Sequence, residues 1–275
     1  MGRAIECVAG FATNPGATLT TLTPSTNTSF TVRGTDTTKN AWLATAWAFC
    51  ATAGELVIKS PRLHDNVQGI RNRVTAAFVV PLFNTPYNPL AKQRLYAQDN
   101  LTVQITGGGA EIDCGAVLIY YEDLAGVAGR FIDIPTLQKS GINIVTAEVT
   151  VTAVATGNFG GAVAINSTFD TLKANTDYAI LGGLTDTRGT AVRITGVDLG
   201  NVGLGFPAEP TIRDVTNNWF LGLAYTLGLP AIPVINSANK SAITIDVETN
   251  QAGGTYIVNL ELVEMAAGAV GAQGM

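Results

Sequence analysis

Apolar and polar residues alternate with a period of two along much of this chain. Leu101, Val103 and Ile105 alternate with Thr102, Gln104 and Thr106. Val149 and Val151 alternate with Thr150 and Thr152, and Ile243, Ile245 and Val247 with Thr244, Asp246 and Glu248. Tyr256, Val258, Leu260 and Leu262 alternate with Asn259 and Glu261; Phe30/Val32 and Leu56/Ile58 are shorter examples. A period of two puts the apolar set on one face of a strand and the polar set on the other. Abundant β-branched residues suit half-buried sheet surfaces. Gly, Pro and Asn clusters separate the strands, so the pattern predicts packed β-sandwiches rather than βαβ units. Helical signal is thin. Pro89–Gln98 and Pro210–Trp219 each open on a proline suited to a first helical turn, and both are predicted as short helices in long loops.

Several segments occur twice. Leu63-His64-Asp65-Asn66 leads into Gly69-Ile70-Arg71, and Leu184-Thr185-Asp186-Thr187 leads into Ala191-Val192-Arg193. Pro89 opens PLAKQRLYAQ and Pro210 opens PTIRDVTNNW. LTVQIT from Leu101 is echoed by ITIDVE from Ile243. Each is followed by a Gly-rich turn and a last apolar strand, GAVLIYYEDL or TYIVNLELVEM. One unit carried twice predicts two tandem sandwiches, residues 1–130 and 131–275, joined across about residues 125–141. The second holds a loop insertion at about 219–239, WFLGLAYTLGLPAIPV within it, and a flexible tail, AAGAVGAQGM.

Composition narrows the function. Charged residues are 13% of the 275, about half the usual share for a soluble domain. Little of such a surface needs to face water, as in an obligate oligomer or lattice. A net charge of −5 without a Lys/Arg run argues against packaging nucleic acid, and no sequence-specific contact with it is expected. The chain start lacks the continuous apolar core of a signal peptide. The stretch after Asp214 is too short, and too broken by Pro230 and Pro233, to span a bilayer.

Candidate chemistry is sparse. The one histidine, His64, has no GxSxG nucleophile elbow to serve. The carboxylate pairs Glu111/Asp113, Glu122/Asp123 and Glu261/Glu264 are not gathered in one loop, as glycoside hydrolysis would need. Asp36 and Asp186 each bring a single carboxylate to a turn, too few for calcium. There is no phosphate loop, and Gly203-Leu204-Gly205 lacks the third glycine of a dinucleotide fold. Cys7, Cys50 and Cys114 show no zinc spacing, and Cys50 and Cys114, inside apolar strand patterns, read as buried free thiols. We therefore expect no enzyme, cofactor or metal. The aromatics are better placed for packing: Trp42, Trp47 and Phe49 lie in one strand pattern, Trp219 and Phe220 in the insertion.

The two-fold pattern, LHDNVQGIR with LTDTRGTAVR and LTVQIT with ITIDVE, resembles the double jelly-roll major capsid proteins of icosahedral viruses, especially small membrane-containing bacteriophages. The resemblance implies an all-β chain of two tandem jelly-roll sandwiches. It implies a structural virion protein that self-assembles as homotrimers into an icosahedral shell. Its partners would be other copies, other virion proteins and an internal lipid membrane; it would assemble in the host cytoplasm and reside in the capsid. A two-domain carbohydrate-binding or adhesin protein, or a fibre-type surface protein, is the alternative. Apolar residues outside the repeated strands are the candidate assembly contacts: Trp219, Phe220, Leu221, Leu223, Tyr225, Leu227 and Leu229.

Overall fold

Strand order decides the architecture. The structure is a computed structural model and describes residues 2–34, 41–63, 66–76, 79–81, 93–107, 112–152, 155–168, 170–251 and 253–270. In the first half the strands are β1 (Gly2–Thr13), β2 (Thr20–Thr21), β3 (Thr23–Pro24), β4 (Ala41–Phe49), β5 (Gly54–Lys59), β6 (Ile70–Val74), β7 (Val79–Pro81), β8 (Gln93–Leu95), β9 (Thr102–Thr106) and β10 (Ile112–Leu124). One sheet runs β3-β1-β10-β4-β7, with β8 also on β4, and the other runs β2-β9-β5-β6. β7 and β8 pair antiparallel with successive parts of β4, so together they act as one interrupted strand.

The second half repeats the order. Its strands are β12 (Gly141–Thr152), β13 (Phe159–Ala164), β14 (Asp177–Thr185), β15 (Ala191–Thr195), β16 (Leu204–Pro207), β17 (Ile232–Asn236), β18 (Thr244–Glu248) and β19 (Thr255–Met265). The sheets are β12-β19-β14-β17, extended by β11 (Phe131–Ile132), and β13-β18-β15-β16. With the short, adjoining β2 and β3 counted as one strand and β7 with β8 as another, in each half the first strand pairs with the last, and the last with the third. The second pairs with the next-to-last, which pairs with the fourth. That is the wrapped Greek-key order of an eight-stranded jelly roll. The chain is a double jelly roll.

The equivalences correct part of the sequence reading. LTVQIT and ITIDVE fall on β9 and β18, which hold the same place in the two sandwiches, as do the strands that follow, β10 and β19. Gly69-Ile70-Arg71 enters β6, a fifth strand, whereas Ala191-Val192-Arg193 enters β15, a fourth. That echo is out of register: short polar turns before strands recur by composition alone. The two proline segments are not equivalent either. Of Pro89–Gln98, residues 89–92 lie outside the described residues and Gln93–Leu95 is strand β8, held by pairing to Ala41–Leu43 against its helix propensity. Pro210–Trp219 is helical: a 3-10 turn at Pro210–Ile212 precedes α2 (Arg213–Thr216) and α3 (Trp219–Leu227). The stretch read as an insertion thus holds α3 and then β17, a strand paired on both sides.

The connecting segment has structure of its own. Helix α1 (Ile134–Ser140) starts where the Asp133 carboxylate accepts from Thr136 N at 2.9 Å, with Pro135 in its first turn. Arg130 makes a two-pronged pair with Asp177 of β14, Nη1–Oδ1 2.9 Å and Nη2–Oδ2 2.7 Å.

The two sandwiches share a core. Alternate residues of the first sandwich's larger sheet belong to different clusters. Ile5, Cys7 and Ala9 of β1, with Leu118 and Tyr120 of β10, join the core that fills the second sandwich. Ala4, Val8, Val117, Ile119 and Tyr121 join the core of the first. This sheet is therefore buried on both faces, and its strands are continuously apolar rather than alternating. The partner surface is the outer face of the second sandwich's β13-β18-β15-β16 sheet. Phe159, Ala191, Arg193, Asp246 and Glu248 share that face by register. The molecule is a stack of four sheets in which the two inner ones are covered on both sides.

Candidate functional site

Three kinds of surface follow from the stack: the closed junction at its centre, an open face at each end, and the helices beside the second sandwich.

The junction is polar where it is deepest. Arg193 of β15 and Asp246 of β18 are cross-strand partners, and their side chains form a buried two-pronged pair, Nε–Oδ1 3.0 Å and Nη2–Oδ2 2.6 Å. Burial pushes the Asp246 carboxyl up and Arg193 pulls it back. The guanidinium also lies 4.0 Å from the ring centre of Phe159 and donates to Thr26 O of the first sandwich at 3.2 Å. Beside it a polar cavity of about 260 Å³ is lined by Glu6, Arg33, Arg193 and Asp246 among others. Glu6 accepts from Arg33 Nε at 2.6 Å and from Tyr121 Oη at 3.0 Å. Every charge on this lining thus has an opposite partner within the chain. Glu248, two residues along β18, is fully buried and reaches Ser25 of the first sandwich.

One open end is the outer face of β2-β9-β5-β6. Glu55 and Lys59 of β5, Arg71 and Arg73 of β6, and Thr102, Gln104 and Thr106 of β9 share it by register. Arg71 Nη1 donates to Glu55 Oε1 at 2.8 Å, which leaves Lys59 and Arg73 as the charges of this set without an opposite partner among the described residues. The other open end is the outer face of β12 and β19; beside them α2 and α3 lie over β14 at Gly182. This open face carries Glu148 and Glu261, with Thr146 opposite Glu261. At its edge Ile142 and Ile144 are 57% and 68% exposed. One open face is net basic and the other acidic and partly apolar.

The helices account for the expected assembly residues. Trp219, Phe220, Leu223 and Leu227 are buried inside this chain, with Phe220 edge-on to Phe206 of β16 at 6.4 Å. Leu221 and Leu229 are partly buried against the same core, and Tyr225 is 65% exposed. A nine-residue helix with so many apolar residues offers both faces to contact, and spacing alone does not say which one the parent chain takes. Leu221, Tyr225 and Val215 line an open groove of about 510 Å³ between α1, α2 and α3. Gly182 lets α2 pass over β14: a Cβ there would lie 2.0 Å from Thr216 O.

The residues weighed for catalysis are dispersed. His64, Asp36 and Glu111 lie outside the described residues. Asp113 is buried and accepts from Ala51 N at 2.8 Å. Glu261 and Glu264 part company, since Glu264 accepts from Lys173 Nζ at 2.6 Å and Asn143 Nδ2 at 3.2 Å. Among the described residues no group of three or more His, Cys, Asp or Glu could hold a metal, and no helix is long and apolar enough to cross a membrane. The buried Arg193–Asp246 pair and Glu248 were missed from sequence. They sit at the polar positions of an alternating strand, and only the stacking of a second sandwich buries that face.

No protein-family model matches this chain, and no curated protein does. Solved structures resemble it in outline. The PBSX exported protein XepA aligns over 94% of this chain and 86% of its own, with 9% identity and a TM-score of 0.26. The major capsid protein P2 of bacteriophage PM2 aligns over 99% and 100%, with 8% identity and a TM-score of 0.24. The STIV MCP aligns over 97% and 88%, with 8% identity and a TM-score of 0.22. Two of these three are viral coat proteins by name. At such TM-scores they add no weight to the fold assignment, which rests on strand order.

Proposed function

We propose that this chain is a structural subunit of an icosahedral virion shell and self-assembles as a trimer. The observation that carries the reading is the four-sheet stack. Within the chain, the larger sheet of one sandwich is covered by the smaller sheet of the next. The same two faces stay open at the ends of the stack. Repeating the internal contact between copies gives a heterologous interface, which forms a closed ring when its rotation closes. Three chains make a ring of six sandwiches. Lys59 and Arg73 on one face and Glu148 and Glu261 on the other supply complementary charge, which sets register and partner choice. Ile142 and Ile144 supply apolar area at the same seam. The low charge content agrees with a surface largely covered by neighbours.

In this reading Leu221, Tyr225 and Leu229 are the members of the expected contact set that reach neighbouring rings or other virion proteins. The place of the protein is the virion.

Native mass from light scattering tests the proposal. The wild type is expected at three chains. Lys59→Glu with Arg73→Glu should give smaller species, as should Glu148→Lys with Glu261→Lys. All four changes in one chain should restore the trimer. A wild type that stays monomeric at high concentration overturns the trimer. A trimer indifferent to every reversal overturns this choice of faces.

A further inference from the structure

We propose that Glu248 is a proton-operated latch between the two sandwiches: as a carboxylic acid it donates to Ser25 Oγ while Ser25 donates to Gly157 O, so two bonds join the sandwiches there, and losing the proton leaves only one. The proposal is independent of assembly, because both groups belong to one chain.

The proton count carries it. Ser25 belongs to the first sandwich, where its backbone N–H donates to Ala9 O at 2.9 Å. Its hydroxyl has one proton, and Oγ lies 2.6 Å from Gly157 O, an acceptor that can only receive it. Oγ is also in hydrogen-bond contact with Glu248 Oε1. With the hydroxyl proton on the carbonyl, the second bond needs a donor, and only a protonated Glu248 supplies one. Glu248 is 0% exposed, and its Oε2 has no partner among the described residues. A buried carboxylate with one free oxygen and no cation bound to it is a costly species; the neutral acid is not.

The surrounding groups favour the proton as well. On the second sandwich, Arg193 of β15 is held by both oxygens of Asp246 on β18, so its charge is shared before it reaches Glu248. Asp246 itself repels a second anion. From the first sandwich, Cys7 of β1 and Cys114 of β10 are buried thiols whose pKa values are pushed up, mainly by burial and next by Glu248. Burial first of all drives the Glu248 carboxyl up to about 8, against the pull of Ser25 and Arg193. When the proton leaves, Ser25 must turn its hydroxyl from Gly157 O to the new anion. That orphans a buried carbonyl on the second sandwich.

The direction with pH follows. The folded pKa is raised above the unfolded one, so the folded state holds the extra proton between the two values. The stabilisation is complete below the unfolded value, near 4.5, and is lost as pH rises through about 8. Glu248→Gln is the test variant, since its amide is neutral at every pH and still donates to Ser25. Relative to this variant, the wild-type folding constant should fall about tenfold per pH unit towards 8 and then run parallel. Parallel curves from pH 5 to 9 overturn the latch. A second measurement uses the wild type alone, in case the variant does not fold. Infrared spectra with glutamate carboxyl carbons isotopically labelled should show a protonated glutamate carbonyl band at pH 7 that disappears as pH passes about 8. Absence of that band at pH 7 in the folded protein also overturns it.

Discussion

Trp47 of β4 and Trp219 at the start of α3 meet edge-on, with ring centroids 5.4 Å apart and planes at 87°. Both rings are shut off from solvent. Trp47 Nε1 donates to Thr190 O of the second sandwich at 2.9 Å, so its polar end is satisfied across the junction. Nearby, Tyr120 of β10 donates from its hydroxyl to Pro230 O at 3.0 Å. Aromatic side chains from one half, each bound to a backbone carbonyl of the other, fix the sandwiches in one relative placement.

Trp219→Ala is expected to cost about 3–5 kcal/mol, the range for removing a large buried aromatic. Because one cluster runs through both sandwiches, wild type and variant should each unfold in a single urea transition followed by tryptophan fluorescence and circular dichroism together. Two separate transitions in the wild type would contradict the shared core.

Arg193→Ala should destabilise by about 3–5 kcal/mol, because it leaves Asp246 buried without its cation. Replacing both residues with apolar ones of similar volume should cost much less than the single change. The readout is a double-mutant cycle on urea midpoints; equal losses in the single and double variants would show that Asp246 does not depend on the pair.

Cys7, Cys50 and Cys114 are all buried free thiols. Burial is the largest cause raising each thiol pKa, and thiolate is the reactive form. Native protein at pH 8 should therefore show almost no reaction with a disulfide reagent over minutes, and three equivalents after unfolding in guanidinium. Rapid labelling of any one in the native state would show that the junction opens.

The strands with one wet face were legible from sequence. β9, β12, β18 and β19 alternate because one side meets a core and the other meets solvent or polar groups, and the fold class followed from them. β1, β4 and β10 do not alternate, since both their faces are covered and most of their positions are apolar; GAVLIYYEDL and the segment 42–49 were legible only as apolar runs. Pro89–Gln98 misled because a short segment with helix-forming residues yields to pairing with β4. The buried charges could not be found either: Arg193, Asp246 and Glu248 occupy positions that an isolated sandwich would expose.

The sequence by itself determined the two β-sandwiches, because alternation and turn residues act over a few residues and need nothing distant to be read. It also determined the shortage of charged residues. Only the tertiary structure decided which faces are covered. Whether α3 turns Trp219 inward or outward, whether β1 has one wet side or none, and whether Glu248 keeps its proton all depend on the second sandwich packing against the first. That contact joins residues such as Ser25 and Glu248, or Trp47 and Trp219, whose distance along the chain leaves no local trace of their meeting.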